Sequence, residues 1–148
     1  MYIAKAWREE RIPVLVEAVR EIQFGALITT SDNDLAASHI PMLLKENAEG
    51  SYSLEGHVAR ANGQWKAALL RPQALAIFQG PQAYIHPGWF PTKKHDGRAV
   101  PSWNYIAIHL HGELEPIEDE AWLRQHLDEL TERNEFSQAE PWTVADAP

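Results

Sequence analysis

The sequence contains no cysteine among its 148 residues. This absence excludes disulfides, thiolate metal ligands and cysteine nucleophiles, so any site chemistry must come from oxygen and nitrogen groups. A chain without cysteine also suits a reducing compartment. With 45% hydrophobic residues, a chain of this length is expected to form a single domain over residues 1–148 with one core.

Long apolar runs are also missing. No stretch approaches the ~18 consecutive apolar residues of a membrane-spanning helix. The N-terminal sequence MYIAKAWREE lacks the apolar centre of a signal peptide. We therefore expect a cytoplasmic protein without a membrane partner.

Positive charge is scarce. The chain has 13 Lys and Arg against 21 Asp and Glu, for a net charge of −8. Broad DNA binding requires a clustered positive face, and no helix-turn-helix pattern is evident, so direct operator binding is disfavoured. The phosphate-binding pattern G-x-x-x-x-G-K, the dinucleotide pattern G-x-G-x-x-G and a nucleophile triad are also missing, so common hydrolase and nucleotidase classes have no support.

Hydrophobic periodicity predicts a mainly β fold with flanking helices. Helical spacing indicates amphipathic helices over residues 9–22 and 119–136, and a short helix over 63–70. Alternating or continuous apolar runs predict a hairpin over 26–44 and further strands over 51–58, 73–80, 82–85 and 103–117. The hairpin turn is assigned to the sequence SDND. About six short strands with few helices favour a small, antiparallel β-barrel with helices packed outside.

The strand exit GHVARANGQW, residues 56–65, is the most informative polar stretch. Arg60 precedes Asn62, which is predicted to cap the following helix. A guanidinium beside a helix N-terminus is suited to a phosphate. The alternative is an ordinary capped helix with a solvated arginine.

Three histidines on predicted strands allow more than one interpretation. Alternation places His39 on one strand face with Ala37, where it either contacts a ligand or makes a buried hydrogen bond. His109 and His111 share a strand face, as two metal ligands would, but no metal-binding spacing supplies a third ligand. Pairing with neighbouring groups is the simpler interpretation for both.

The proline- and glycine-rich segment 86–102 is predicted to be an irregular loop. It and the following residues combine a cationic cluster with aromatic rings, which would suit a flat anionic ligand. The residues concerned are Lys93, Lys94, His95, Arg98, Trp89, Phe90, Trp103 and Tyr105. A solvated surface is the better interpretation for the lysines. It is less convincing for PSWNY, because exposed Trp and Tyr are costly.

Several segments together resemble the PaiB family of FMN-binding negative transcriptional regulators: FGALITT, ASHIPMLL, GHVARANGQW, AIFQGPQAYIHPGWFPTK, VPSWNYIAIHLHG and EPWTVADAP. They cover nearly the whole chain in the family's order. The resemblance implies the FMN-binding split β-barrel, which is shared with pyridoxamine phosphate oxidases and flavin reductases. It also implies FMN as cofactor and a homodimer with the flavin near the subunit interface.

The resemblance also implies a set of cofactor-binding residues, carried by three motifs. They are Ser38, His39 and Pro41 of SHIP, His57, Arg60, Asn62 and Trp65 of GHVARANGQW, and Trp103, Asn104 and Tyr105 of PSWNY. Arg60 is then expected at the phosphate end of FMN. The PSWNY residues are expected near the isoalloxazine ring or across the dimer interface.

The sequence departs from the family pattern at two places. Gly63 stands where the family usually has proline, which loosens the turn without removing a ligand group. Family members commonly continue beyond PWTVADAP to a K-L-S-Q-N motif, whereas this sequence stops at Pro148. We therefore expect part of the pocket, and of the dimer contact, to be incomplete in this sequence.

The function implied by the resemblance is a flavin-binding regulator, with DNA as a partner by family label only. A first alternative is a small FMN-dependent oxidoreductase resembling flavin reductases, with His39 or His57 as proton donor. A second is a haem-binding split barrel, since the seven histidines include candidate axial ligands.

Overall fold

The computed structural model describes residues 1–30 and 34–147, apart from the side chains of residues 94 and 96. The strands are β1 (Phe24–Thr30), β2 (Leu35–Glu46), β3 (Tyr52–Gly56), β4 (Gln73–Ile85) and β5 (Ser102–Glu113). The helices are α1 (Ile12–Ile22), α2 (Gln64–Ala68), α3 (Lys93–Asp96) and α4 (Glu120–Glu135). Short 3-10 turns cover Lys5–Trp7, Pro87–Trp89 and Val144–Asp146. The strands form one antiparallel sheet in the order β3-β2-β1-β4-β5.

The two predicted amphipathic helices are confirmed with small shifts at their ends. The first begins at Ile12, with Pro13 in its first turn, where a missing N–H costs nothing. The second begins after Asp119, whose carboxylate accepts a hydrogen bond from the N–H of Trp122 at 2.7 Å. In α4, His126 is buried whereas Leu123 is 40% exposed, so the helix packs through a narrow stripe around His126. No helix in the described ranges is long and apolar enough to cross a bilayer.

The predicted hairpin is also confirmed. β1 and β2 pair antiparallel, with Ala26 opposite His39. The predicted turn falls largely on residues 31–33, which lie outside the described residues. The third strand is shorter than predicted and covers Tyr52–Gly56.

The prediction of about six strands is wrong, because residues 73–80 and 82–85 belong to one strand, β4. The β4–β5 register shifts between Gln79 and Gln82. Two residues of β4, Gly80 and Pro81, there stand against one residue of β5. Such a bulge accommodates a proline without ending the strand. The segment 86–102 is likewise less irregular than predicted, since it contains a 3-10 turn and the one-turn helix α3.

One face of the sheet is buried under helices. Val19 of α1 packs against Met42, Ala76, Phe78 and Ile108, which come from three strands. Phe78 has no exposed surface and lies at the centre of this cluster. Because strand side chains alternate between faces, this packing determines which residues point the other way.

The opposite face of the sheet, which we call the open face, is largely uncovered. It carries the residues that alternate with the core positions, including His39, Ala26 and Ile77, which lie side by side on β2, β1 and β4. Large side chains at its ends remain exposed, among them Phe24 at 56% and Trp103 at 56%. The fold thus presents one packed face and one unpartnered face.

Candidate functional site

The strand exit after β3 is held against the sheet by a buried amide. Gln64, the first residue of α2, is only 4% exposed. Its Nε2 lies 3.2 Å from Leu27 O, 3.1 Å from Thr29 Oγ1 and 3.2 Å from Ala36 O. Its Oε1 accepts a short hydrogen bond from Ser38 Oγ. One side chain therefore connects the strand exit to both β1 and β2.

Asn62 extends this network, although not in the predicted cap position. The N-cap of α2 is Gly63, whose backbone is already helical. Asn62, one residue earlier, accepts a hydrogen bond from the N–H of Gln64 at 2.9 Å and donates through Nδ2 to Ser38 Oγ at 2.8 Å. The prediction that Asn62 caps α2 is therefore wrong, although its side chain still accepts a hydrogen bond from the first N–H of the helix. The cause is local, since the Asn62 side chain forms an Asx-type turn ahead of the helix.

A cationic cluster lies on the solvent side of the strand exit. The Arg60 guanidinium carbon is 4.9 Å from the centre of the Trp65 ring, and Lys66 Nζ is 5.2 Å from the same centre. Trp65 Nε1 donates to Arg60 O at 3.1 Å, which ties the ring to the loop. Arg60 also forms an ion pair with Glu118, and both side chains are at least half exposed. Lys66, which follows Trp65 directly in the sequence, was not among the predicted site residues.

His57 has a protein partner. Its Nδ1 lies 3.2 Å from Nε2 of His126 in α4, so one nitrogen donates and the other accepts. His126 is 1% exposed, and the Trp122 ring stacks on it at 5.4 Å. The pair joins the start of the strand exit to α4. The predicted role of His57 toward a cofactor remains a prediction.

Charged groups surround this histidine pair. Glu55 Oε2 lies 3.9 Å from His126 Nδ1, and Lys45 Nζ bridges Glu55 at 2.9 Å and Glu129 at 2.5 Å. Burial, followed by the neighbouring His57, lowers the pKa of His126. Burial also works to lower the pKa of Lys45, but the two carboxylates outweigh it and the pKa is raised. The cluster thus favours a neutral His126 beside a charged Lys45.

We expect this pair to make the stability of the fold depend on pH near neutrality. In the unfolded chain His126 binds a proton around its ordinary pKa of 6.5, whereas in the folded protein it does so only at lower pH. The unfolded state therefore binds more protons, and stability falls as pH decreases from about 7.5 to about 5.5. Urea unfolding at several pH values measures this slope.

Two variants identify the group responsible. His126→Phe retains a ring against Trp122 but cannot titrate, so its stability should change less with pH than that of the unmodified protein. His95→Gln, at an exposed position, should keep the original slope. An unchanged slope in His126→Phe would assign the pH dependence to other groups.

His39 lies on the open face, beside a cleft. Its ring stacks on Phe24 with centroids 6.3 Å apart. The cleft has a volume of about 340 Å³ and is also lined by Ile77, Gln79 and Gln82. An aromatic ring, an imidazole and two amides around one cleft suit a flat ligand with hydrogen-bonding edges. Of the two interpretations of His39, the exposed position beside a cleft favours the ligand contact over a buried hydrogen bond.

The PSWNY residues lie on β5 toward the same end of the sheet. Trp103 Nε1 donates to Gln82 Oε1 at 2.9 Å, and Trp103 contacts Tyr84 at a centroid distance of 6.1 Å. Tyr105 is 55% exposed and opposite Gln82 in the β4–β5 ladder. Asn104 is exposed and alternates to the other side of the strand. Trp103 and Tyr105 are therefore linked to the cleft through Gln82.

The predicted residues fall into two groups on opposite faces of the sheet. Ser38, Asn62, Trp65 and Arg60 belong to the strand exit on the helix-covered face, whereas His39, Trp103 and Tyr105 belong to the open face. Pro41 is partly buried in β2, opposite Phe24. The alternation of β2 separates Ser38 from His39. Within the described residues, the two groups therefore face opposite sides of the sheet, and only His39 of the second group lines the cleft.

His109 and His111 were considered as two possible metal ligands on one strand face. His109 and His111 stand opposite Ile77 and Leu75 on one strand face. Burial, with the charges of the chain N-terminus and His111, lowers the pKa of His109. Within the described ranges, no set of three or more His, Asp or Glu side chains is arranged to hold a metal ion.

A family model described as "Putative FMN-binding domain" matches residues 1–148. The chain belongs to this FMN-binding family. FMN is therefore the cofactor, as the sequence resemblance implied. The antiparallel sheet with flanking helices is consistent with the split β-barrel expected for such a protein.

Curated relatives of this FMN-binding chain come from bacteria and fungi. Protease synthase and sporulation protein PAI 2 of Bacillus subtilis is 30% identical over 141 residues, which cover 95% of this chain and 65% of the relative. Uncharacterized protein YKL070W of Saccharomyces cerevisiae is 33% identical over 129 residues, covering 84% of this chain and 76% of the relative. Uncharacterized protein AN0679 of Emericella nidulans is 31% identical over 183 residues, covering 100% of this chain and 73% of the relative. The PAI 2 similarity confirms the PaiB resemblance, although the chain spans less than two thirds of that relative's length.

Proposed function

We propose that this chain is an FMN-binding regulator of the PaiB type, in which flavin binding influences a homodimer. The observation that carries the FMN assignment to particular residues is the cluster of Arg60 and Lys66 around Trp65. The two cations lie 4.9 and 5.2 Å from the centre of the same indole ring, and cationic side chains of this kind suit a phosphate dianion. In this proposal Arg60 and Lys66 hold the phosphate of FMN.

The open face supports the dimeric part of the proposal. Exposed apolar patches of this kind usually mark an interaction site. The strand-exit group and the open-face group lie on opposite faces of one sheet, so a second copy is needed to bring both kinds of residue to one ligand. His39, Phe24 and Gln82 of one copy would then contact the flavin ring. When bound, the flavin supplies reversible one- and two-electron redox chemistry, while the protein residues bind, orient and exclude water.

The regulatory part of the proposal rests on the PaiB resemblance. The net charge of −8 disfavours a broad DNA-binding face, so we propose that the regulatory output passes through a partner or a localised patch. The oxidoreductase and haem hypotheses are the alternatives that experiment must separate from it.

Purification without added cofactor, followed by absorption spectroscopy and chromatography of the released chromophore, tests this proposal. We expect FMN near one per chain, a dimer by light scattering and no steady consumption of NADH or NADPH. A Soret band would replace the proposal with haem binding. Sustained NAD(P)H oxidation by the loaded protein would replace it with an oxidoreductase.

Glu118→Gln is expected to tighten FMN binding. Glu118 pairs with Arg60 and would compete with the phosphate for the same guanidinium. Exposed ion pairs are weak, so the gain should be about two- to fivefold, and it should diminish as salt is added. Isothermal titration with FMN at two salt concentrations measures it.

Glu115→Gln is the matched control, because it removes one negative charge from the same exposed segment. It should tighten FMN binding less than Glu118→Gln does. Equal tightening by both variants would show a general charge effect instead of release of Arg60.

A further inference from the structure

Gln64 joins several parts of the fold through polar contacts, although it was not among the predicted site residues. Its amide lies between two strands and the strand exit, with 4% of the residue exposed. Its Nε2 has three acceptors within 3.2 Å, from Leu27, Thr29 and Ala36. Two of these are backbone carbonyls, which cannot donate, so the amide nitrogen must point toward them.

An amide is the side chain that meets these requirements. On one side Gln64 donates to carbonyl oxygens, and on the other its Oε1 accepts from Ser38 Oγ. A carboxylate at this position would place an oxygen against two carbonyl oxygens in a buried site. An apolar side chain would leave those carbonyls and the Ser38 hydroxyl without this partner, and unsatisfied buried groups are costly.

This amide also holds the loop that carries Arg60. Asn62 donates to Ser38 Oγ at 2.8 Å and accepts from the N–H of Gln64 at 2.9 Å. Trp65, the next residue of α2, donates a hydrogen bond from Nε1 to Arg60 O at 3.1 Å. The position of the Arg60 backbone is therefore set at both ends of a short loop, through residues that Gln64 joins to the sheet.

We propose that Gln64 is a positioning residue that selects phosphate-bearing FMN over riboflavin, by holding the strand-exit loop where Arg60 and Lys66 can meet the phosphate. This inference rests on the proposed role of Arg60. Gln64 is buried, so in this inference it acts through the loop and not through a contact of its own with the ligand. Its effect is therefore confined to the phosphate end, and riboflavin, which lacks the phosphate, should be almost insensitive to it.

The test compares dissociation constants for FMN and riboflavin in the full chain by flavin fluorescence. Gln64→Met keeps the length of the side chain and removes its hydrogen bonds, and we expect FMN affinity to fall about tenfold while riboflavin affinity changes less than about twofold. Gln64→Glu should reduce the preference for FMN over riboflavin at least as much as Gln64→Met does. Gln138→Glu adds the same charge at an exposed position and should leave the preference unchanged.

Two further variants keep the inference testable if Gln64 variants fold poorly. Ser38→Ala removes the hydroxyl that joins Gln64 to Asn62 and should reduce the FMN preference by an intermediate amount. Equal weakening of both flavins, or an unchanged preference in the folded variants, would overturn the positioning role. If Arg60→Ala also leaves the preference unchanged, the phosphate assignment itself fails; if only Arg60→Ala abolishes it, the inference about Gln64 alone fails.

Discussion

Replacing Arg60 by alanine is expected to weaken FMN binding by about 10- to 100-fold and to leave riboflavin binding nearly unchanged. A guanidinium forms charge-assisted hydrogen bonds to phosphate that are worth about 1.5–3 kcal/mol each. Arg60 is largely exposed, at 76% of its side chain, and its ion pair with Glu118 is easily exchanged. The guanidinium is therefore accessible to a phosphate without breaking the core.

The comparison of two flavins separates binding from folding. Isothermal titration with FMN and riboflavin gives both affinities for each variant, and thermal unfolding reports stability. Arg124→Ala is the matched control, because Arg124 is an exposed arginine on α4 paired with Asp128 at 3.7 Å. Unchanged FMN affinity in Arg60→Ala would remove Arg60 from the site. A similar loss of FMN affinity in both arginine variants would mean that the effect comes from long-range electrostatics and not from a contact of Arg60.

Lys66 is expected to contribute to FMN binding as well, but less than Arg60. It lies near the same Trp65 ring and carries the second positive charge of the cluster. A lysine ammonium lacks the planar fork of arginine and acts as a point charge. Its contribution to phosphate binding should therefore be smaller and more sensitive to salt than that of Arg60.

Replacing Phe78 by alanine is expected to lower the free energy of unfolding by about 3–5 kcal/mol. The Phe78 ring has no exposed surface and packs among Val19, Met42 and Ile108 at the centre of the helix-covered face. Truncation removes the ring's dispersion contacts and leaves a cavity that the surrounding strands can fill only in part. A loss of this size is a large share of the stability of a typical single domain.

Urea unfolding monitored by tryptophan fluorescence measures this change. Phe136→Ala is the matched control, since the same atoms are removed from a side chain that is 80% exposed. Its effect should stay within about 0.5 kcal/mol. A small effect at Phe78 would mean that the helices and the sheet do not pack around this ring in solution.

The elements themselves were predictable from local patterns. Apolar residues at helical spacing identified α1 and α4, because this spacing is a property of a few consecutive turns. Alternation identified β1 and β2 as a hairpin. The count of strands failed at Gly80 and Pro81, where glycine and proline usually end a strand; pairing with β5 instead absorbs them as a bulge.

The sequence by itself determined the absence of thiol chemistry, the acidic charge, the helix and strand pattern and, through its motifs, the FMN-binding family. These properties depend on residue type and on spacing over a few positions. Tertiary structure alone decided that Gln64 is a buried anchor and that His57 pairs with His126. The partners in these contacts lie 26 residues apart for Ser38 and Gln64 and 69 residues apart for His57 and His126, so no local sequence pattern identifies them. Only the packing of α2 and α4 against the sheet brings them within hydrogen-bonding distance.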